Sequence, residues 1–470
     1  VRYVSTRGEA PVLGFSDVLM AGLAADGGLY VPETWPTLSR EEIASFAFRP
    51  YAEIAARVIA PFVGDDMERA ELEAMVAAAA DTFRHPATTP VTQIAPNHFL
   101  LELFHGPTLA FKDVAMQLLA RLVDRRLAET GKRATVVGAT SGDTGAAAVE
   151  AFRGRENVDV VILYPHERVS PVQRRQMTTV GDDNVHVLAI DGTFDDCQAI
   201  VKDMFAHASF REAVGLTGVN SINWARIVAQ VGYYFAAAAA LGAPERPVSF
   251  TVPTGNFGDI FAGYVAKRMG LPIDRLVIAT NVNDILVRAL SRGDYRTDTV
   301  TPTSSPSMDI QVSSNFERLL FEAYGRDGAA VAALMGRLKQ GGGFDIDTEP
   351  LAAIRREFSA ASTDEAGTLA TIGRIHKATD LVIDPHTAVG VAAAESHLTE
   401  GVPMVTLATA HPAKFAEAVE KATGLTPRLP EALADLENRP ERVMRLPADT
   451  GAVETFIADT CRATREDAAQ

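Results

Sequence analysis

Six short runs of β-branched and apolar residues, at 134–139, 158–163, 185–190, 248–252, 276–280 and 404–409, punctuate the chain, and helix-patterned sequence follows most of them. Runs that are apolar throughout, rather than at every second residue, belong to strands buried on both faces. Strands separated by helices are joined by crossovers instead of hairpins. The pattern therefore predicts an α/β protein whose parallel sheets are covered by helices, with ligands at the carboxyl ends of strands. Chemistry is expected in the loops that follow strands.

At roughly 150 residues per domain, 470 residues accommodate about three domains or subdomains. Residues 1–90 are Ala- and Glu-rich and helical after Pro36, with a polar break at 85–90, and are read as an N-terminal subdomain. Two α/β domains, 91–230 and 231–429, are expected to follow, the second interrupted near 291–343 by an insertion ending in Gly341-Gly342-Gly343. Residues 430–470 are polar and helical and are read as a peripheral segment.

Lys and Arg total 44 against 60 Asp and Glu, a net charge of 44 − 60 = −16, with no basic block. Nucleic acid is not an expected partner, because its affinity rests on phosphate neutralisation. The longest apolar run, near 233–241, falls short of the roughly 18 residues that span a bilayer, so no membrane partner is expected. The first eight residues lack the apolar stretch of a signal peptide, and the expected location is the cytoplasm. Cys197 and Cys461 belong to no Cys/His array, so neither a disulfide framework nor a metal site is expected.

Three loops stand out. Gly138-Ala139-Thr140-Ser141-Gly142-Asp143-Thr144-Gly145 leads from a strand into a helix, and its amides are placed to meet an anion. It is neither a Walker A loop nor a dinucleotide fingerprint. The same glycines are equally explained by a tight turn capped by Ser141 and Thr144. Pro253-Thr254-Gly255-Asn256-Phe257-Gly258-Asp259 is a second strand-to-helix loop, small enough around Asn256 for several N–H groups to converge on one phosphate. The third feature is Lys112, one of eight lysines against thirty-six arginines, set between Leu109-Ala110-Phe111 and an Ala/Leu-rich helix. Desolvation there favours the neutral amine that attacks carbonyls. Lys414, in Ala410-His411-Pro412-Ala413-Lys414-Phe415, is its rival. A nucleophilic lysine and a phosphate nest on separate loops are what pyridoxal phosphate requires.

Several motifs occur together in a recognisable order. They are Tyr3-Val4-Ser5-Thr6-Arg7-Gly8, Phe104-His105-Gly106-Pro107-Thr108-Leu109-Ala110-Phe111-Lys112-Asp113, Thr140-Ser141-Gly142-Asp143-Thr144-Gly145, Asn220-Ser221-Ile222-Asn223-Trp224-Ala225-Arg226 and Gly255-Asn256-Phe257-Gly258-Asp259. Ser305-Pro306-Ser307-Met308-Asp309-Ile310, Ser313-Ser314-Asn315-Phe316-Glu317-Arg318 and the Lys414 motif complete the set, which spans nearly the whole chain. In these the chain resembles threonine synthases of the longer bacterial and fungal branch. The resemblance implies a fold-type II (tryptophan synthase β-like) pyridoxal-phosphate enzyme, with two α/β domains and a smaller N-terminal domain. It implies that Lys112 carries the Schiff base, that Gly255, Asn256, Phe257, Gly258 and Asp259 form the phosphate cup, and that Thr409 faces the pyridine nitrogen. Ser141, Asp143 and Thr144 are implied to lie at the substrate carboxylate and the ring hydroxyl.

The implied substrate is O-phospho-L-homoserine, converted with water to L-threonine and phosphate by a monomer or homodimer. Arg226, with Asn223, is the first choice for the substrate phosphate, since a guanidinium fork suits phosphate. Ser221 or Asn223 also read as helix caps, and Arg7 and Lys414 are weaker alternatives for the phosphate. His105 reads as a proton-transfer assistant or a turn residue, and Asp384-Pro385-His386-Thr387 as an ordinary helix start. The competing readings are a related lyase releasing 2-oxobutyrate from the same substrate, or a noncatalytic small-molecule binder.

Overall fold

Each of the six apolar runs forms a strand, Ala134–Ala139, Val158–Pro165, Val185–Asp191, Val248–Pro253, Ile273–Thr280 and Met404–Ala408, in a computed structural model that describes residues 1–218 and 220–464. The chain divides into two units. The first comprises Val1–Val18, Leu23–Phe111 and Ser221–Arg428; the second comprises Leu19–Gly22, Lys112–Asn220 and the chain from Leu429 onward.

The first unit is built on a six-stranded sheet in the order Phe358–Ser362, Ile273–Thr280, Val248–Pro253, Met404–Ala408, His98–Glu102, Val91–Ala95. All neighbours are parallel except the last pair, which is an antiparallel hairpin. Three adjacent parallel strands, Val248–Pro253, Met404–Ala408 and His98–Glu102, therefore release their following loops from one edge of the sheet. The helix Pro385–Glu395 lies against this sheet, sharing an apolar core with Ile94, Leu100 and Ala408 through Ala388 and Val391. Within the sequence-anticipated insertion, the short strands Asp294–Arg296 and Gly343–Asp345 pair with each other around the helices Phe316–Ala323 and Gly328–Gly341.

The second unit holds a five-stranded, all-parallel sheet in the order Met444–Pro447, Val185–Asp191, Val158–Pro165, Ala134–Ala139, Leu216–Gly218. Val137, Val161, Leu163, Leu188 and Ile190 from these strands form its core with Cys197, Ile200 and Met204 of the helix Phe194–Ala206.

These units cut across the expected boundaries at 90 and 230, whereas the one expected at 429 falls within a residue of the change at Arg428/Leu429. Residues 91–111 join the first sheet, because their hairpin pairs with Met404–Ala408. The N-terminal segment shares a core with the helix Trp224–Ala240: the Tyr3, Trp35 and Phe62 rings lie 5.9–6.1 Å from that of Trp224. The C-terminal segment is not peripheral. Its strand Met444–Pro447 extends the second sheet, and Val453, Ile457 and Cys461, one face at a spacing of four, are fully buried in that unit's core. Burying Val453 and Ile457 contributes about 1.5–3 kcal/mol each.

Candidate active site

In the first unit, the strand Val248–Pro253 runs into the loop Thr254-Gly255-Asn256-Phe257 and the helix Gly258–Arg268. The loop's carbonyls are held from one side. Ser313 Oγ donates to the Gly255 carbonyl at 2.6 Å, and Asn315 donates to the Asn256 carbonyl from its backbone N–H at 3.0 Å and from Nδ2 at 2.9 Å. In a trans peptide the carbonyl and the following N–H point in opposite directions. The N–H groups of Asn256 and Phe257 therefore face away from the 313–315 segment. The first-turn N–H groups of the helix have no intrahelical acceptor and carry the positive end of its dipole. Together these groups make a seat for an anion.

Phe257 adopts φ 64°, a strained region for a bulky residue, and is held there by the rings of Phe316 and Phe358 at 5.4 and 5.8 Å. The carboxylate of Asp259 accepts from the Tyr234 hydroxyl at 3.0 Å and from that of Tyr233. Burial, followed by the neighbouring Asp259 charge, raises both tyrosine pKa values well above the ordinary value, so both stay neutral donors. A carboxylate so anchored fixes the first turn of the helix Gly258–Arg268.

Two more loops emerge beside this one. Thr409, buried directly after the strand Met404–Ala408, accepts the Phe111 N–H at its carbonyl at 2.8 Å, while the Leu109 carbonyl accepts the His411 N–H at 3.0 Å. Lys414 is buried and its ammonium donates to the Thr108 carbonyl at 2.7 Å, a structural commitment that disfavours it as a nucleophile. His411 caps the short helix Pro412–Phe415, its Nδ1 accepting the Ala413 N–H. Burial, with Arg84 and His105 nearby, pushes its pKa down to about 4. His105 Nε2 lies 2.7 Å from Glu102, whose other oxygen accepts from Thr92. Burial alone raises the pKa of Glu102, but the bonds from His105 and Thr92 prevail and hold it below the ordinary value.

In the second unit, Lys112 is the first residue of the helix Lys112–Thr130, with its side chain only 12% exposed and Nζ 3.6 Å from Asp143 Oδ2. Asp143 opens the helix Asp143–Phe152, and its other oxygen accepts from Gln173 Nε2 at 2.8 Å. The turn before that helix is tied by Thr140, whose hydroxyl accepts the N–H groups of Gly142 and Gly145 at 2.9 Å each. This corrects the expected capping by Ser141 and Thr144. Ser141 is exposed and Thr144 half-buried, so their hydroxyls stay out of the turn's own bonding.

A largely shielded lysine paired with a carboxylate, and an amide seat on a separate loop, fit the comparisons with known proteins. Residues 2–80 match the threonine synthase N terminus, 84–335 the pyridoxal-phosphate dependent enzymes, and 387–457 the threonine synthase C-terminal family. A threonine synthase of Pseudomonas aeruginosa is 53% identical over 97% of this chain and 98% of its own. The chain belongs to the threonine synthase family. The crystal structure of a threonine synthase from Brucella melitensis with pyridoxal phosphate bound superposes with a TM-score of 0.97 at 59% identity, covering 98% of this chain and 99% of that one. The yeast threonine synthase structure gives 0.93 at 39% identity, with 98% of each chain covered. The fold is accordingly that of the fold-type II pyridoxal-phosphate enzymes, and pyridoxal phosphate is the cofactor.

Against this family background the remaining candidates separate. Arg226 is a buried guanidinium rather than a helix-surface one, and burial pushes its pKa down to about 10, so it stays charged at neutral pH. Asn223 is the N-cap of the helix Trp224–Ala240, its Oδ1 accepting the Ala225 N–H at 3.0 Å, which is the capping alternative. Arg7 is neutralised by two bonds of 3.0 Å to Glu317. Gln173 escaped sequence reasoning because it lies in no glycine-rich stretch, and Thr140, although inside the first loop, was given no role there. Asn315 sits in a recognised motif, but its function as the brace of the Asn256 carbonyl had no local signal. No helix among the described residues is long and apolar enough to cross a membrane.

Proposed function

We propose that the chain converts O-phospho-L-homoserine and water into L-threonine and phosphate, the last step of threonine biosynthesis, in the cytoplasm. The observation that carries this reading is Lys112, an amine shielded at a helix start and held by Asp143, in a chain 53% identical to a named threonine synthase. The residues fit pyridoxal phosphate: the amides of Asn256 and Phe257 face one way, and Gly255 lets the loop pack directly on the Ser307 carbonyl, 2.4 Å from where a Cβ would stand, which fixes the direction of those amides. When bound, the cofactor supplies the electron sink that lets C–H bonds near the substrate nitrogen break.

In this proposal Gly255, Asn256, Phe257, Gly258 and Asp259 hold the cofactor phosphate through backbone N–H groups. Lys112 is the point of covalent attachment. The Thr409 hydroxyl faces the ring nitrogen, where a neutral partner does not enforce protonation. Ser141 and Thr144, with the loop amides, bind the substrate carboxylate. Arg226 neutralises the substrate phosphate, a match of fork to oxyanion in a strongly acidic chain. Asn223 orients this start of the helix.

Released from the cofactor, the Lys112 amine removes the proton at Cα, with Asp143 steadying the ammonium that results; it passes that proton on and, as the free amine again, removes one at Cβ. The Cγ–O bond breaks with its electron pair leaving on phosphate. A proton is delivered to Cγ, the oxygen of water bonds to Cβ, and Cα regains its proton. Borohydride reduction of the holoenzyme followed by peptide mapping is expected to leave the pyridoxyl group on Lys112. Finding it on Lys414, or on no lysine, refutes the assignment.

A further inference from the structure

Directly behind Gly255 lies the turn at residues 305–308. The Ser307 carbonyl oxygen is 2.4 Å from where a Cβ on Gly255 would stand, so these two stretches of backbone touch, and a shift in the turn is a shift in the loop. The turn is fixed at its flanks. Asn281 Nδ2 donates to Thr303 Oγ1, Ser305 Oγ and Asp309 Oδ1 at 2.9, 3.0 and 2.8 Å, and Met308 packs with Ala279, Val389 and Ala393.

At the point of contact itself, one side chain grips the backbone: His386 Nε2 accepts the Ser307 N–H at 3.2 Å. A ring nitrogen that accepts carries no proton, so the proton of the neutral imidazole sits on Nδ1. Nδ1 lies 2.7 Å from Asp384 Oδ2. Asp384 is in turn held by the N–H groups of His386 and Thr387 at 3.0 Å each and by the Thr387 hydroxyl. Asp384 and His386 are 0% and 3% exposed, and the Phe415 ring meets the imidazole edge-on at 4.8 Å. Helix capping accounts for Asp384 alone. It does not account for a buried imidazole, oriented by that carboxylate, whose far nitrogen reaches 79 residues back to Ser307, whose carbonyl abuts Gly255.

We infer that Asp384 and His386 are positioning residues for the cofactor: through Ser307 they set the place of Gly255, and with it the aim of the Asn256 and Phe257 N–H groups. The inference rests on the proposed reading of residues 255–259 as the phosphate seat. It asks of His386 an acceptor at the Nε2 position, which two substitutions separate. His386→Gln keeps an acceptor there. His386→Asn keeps a donor to Asp384 but is too short to reach Ser307.

The test is phosphorus NMR of the bound cofactor, together with its rate of release from the holoenzyme. His386→Gln is expected to give the wild-type resonance and release rate. His386→Asn is expected to shift the resonance and to release the cofactor about tenfold faster, the equivalent of one hydrogen bond. Wild-type behaviour of His386→Asn, or equal disturbance by both substitutions, overturns the inference. Gly255→Ala serves as the separate check on the seat: an unmoved resonance there refutes the seat itself, whatever His386 does. Should the His386 variants fail to fold, the nitrogen spectrum of the histidine-labelled wild-type holoenzyme decides. A protonated Nδ1 with a bare Nε2 supports the inference, and the opposite tautomer overturns it.

Discussion

Gly142→Ala probes how the glycine loop of the second unit holds the partner of Lys112. Gly142 has φ 147°, which an L-residue adopts only with strain of about 1–3 kcal/mol. A methyl there would also stand 2.4 Å from Gln173 Cδ, well inside contact distance. Gln173 is buried, so relief means giving up its bond to the Asp143 carboxylate, worth about 1.5–3 kcal/mol, and the bond it accepts from Ser170, worth about 0.5–1.5 kcal/mol. The substitution is therefore expected to cost about 3–7.5 kcal/mol. In a Gln173→Ala background the clash and the lost bonds are already absent, so the same substitution is expected to cost only the strain, about 1–3 kcal/mol. Urea unfolding of the four proteins measures the cycle, with a coupling of about 2–4 kcal/mol expected. Additive costs would refute the claim that Gly142 is required for the approach of Gln173.

Lys112→Ala is expected to abolish the borohydride-reducible cofactor absorption, whereas Lys414→Ala leaves it in place and lowers the urea midpoint by the loss of a buried charged hydrogen bond, about 1.5–3 kcal/mol. Asn315→Ala is expected to weaken cofactor affinity about tenfold, read by titration of the apoenzyme, because the Asn256 carbonyl loses its side-chain donor and keeps only the backbone N–H of residue 315. His411 gives a pH signature. Its pKa falls from 6.5 to about 4 on folding, so the unfolded chain binds the proton first and stability drops as pH falls from 6.5 toward 4. The drop is (6.5 − 4) × 1.36, about 3 kcal/mol. His411→Asn, which keeps a capping oxygen, is expected to remove that part of the dependence in unfolding curves at pH 7 and pH 4.

What was legible in the sequence was local. The six strands are apolar on both faces and announce themselves, whereas Val91–Ala95 is half-exposed and Met444–Pro447 is an exposed edge strand, so neither carries a burial pattern to read. The glycine loops and Lys112 are conspicuous because backbone clearance and a desolvated amine are properties of a few consecutive residues. The braces are not. Gln173 reaches Asp143 across 30 residues, Asn315 reaches Asn256 across 59, and His386 reaches Ser307 across 79, distances over which no spacing rule operates. The misplaced boundaries at 90 and 230 have the same origin: the hairpin at 91–102 and the helix Trp224–Ala240 take their places from partners elsewhere in the chain.

The central claim is tested most directly by supplying the holoenzyme with O-phospho-L-homoserine in water enriched in oxygen-18 and following both products by NMR and mass spectrometry. Cleavage of the Cγ–O bond and addition of water at Cβ predict one labelled oxygen in the threonine hydroxyl and none in the phosphate, in equal amounts. Labelled phosphate with homoserine, 2-oxobutyrate in place of threonine, or no turnover would contradict the account.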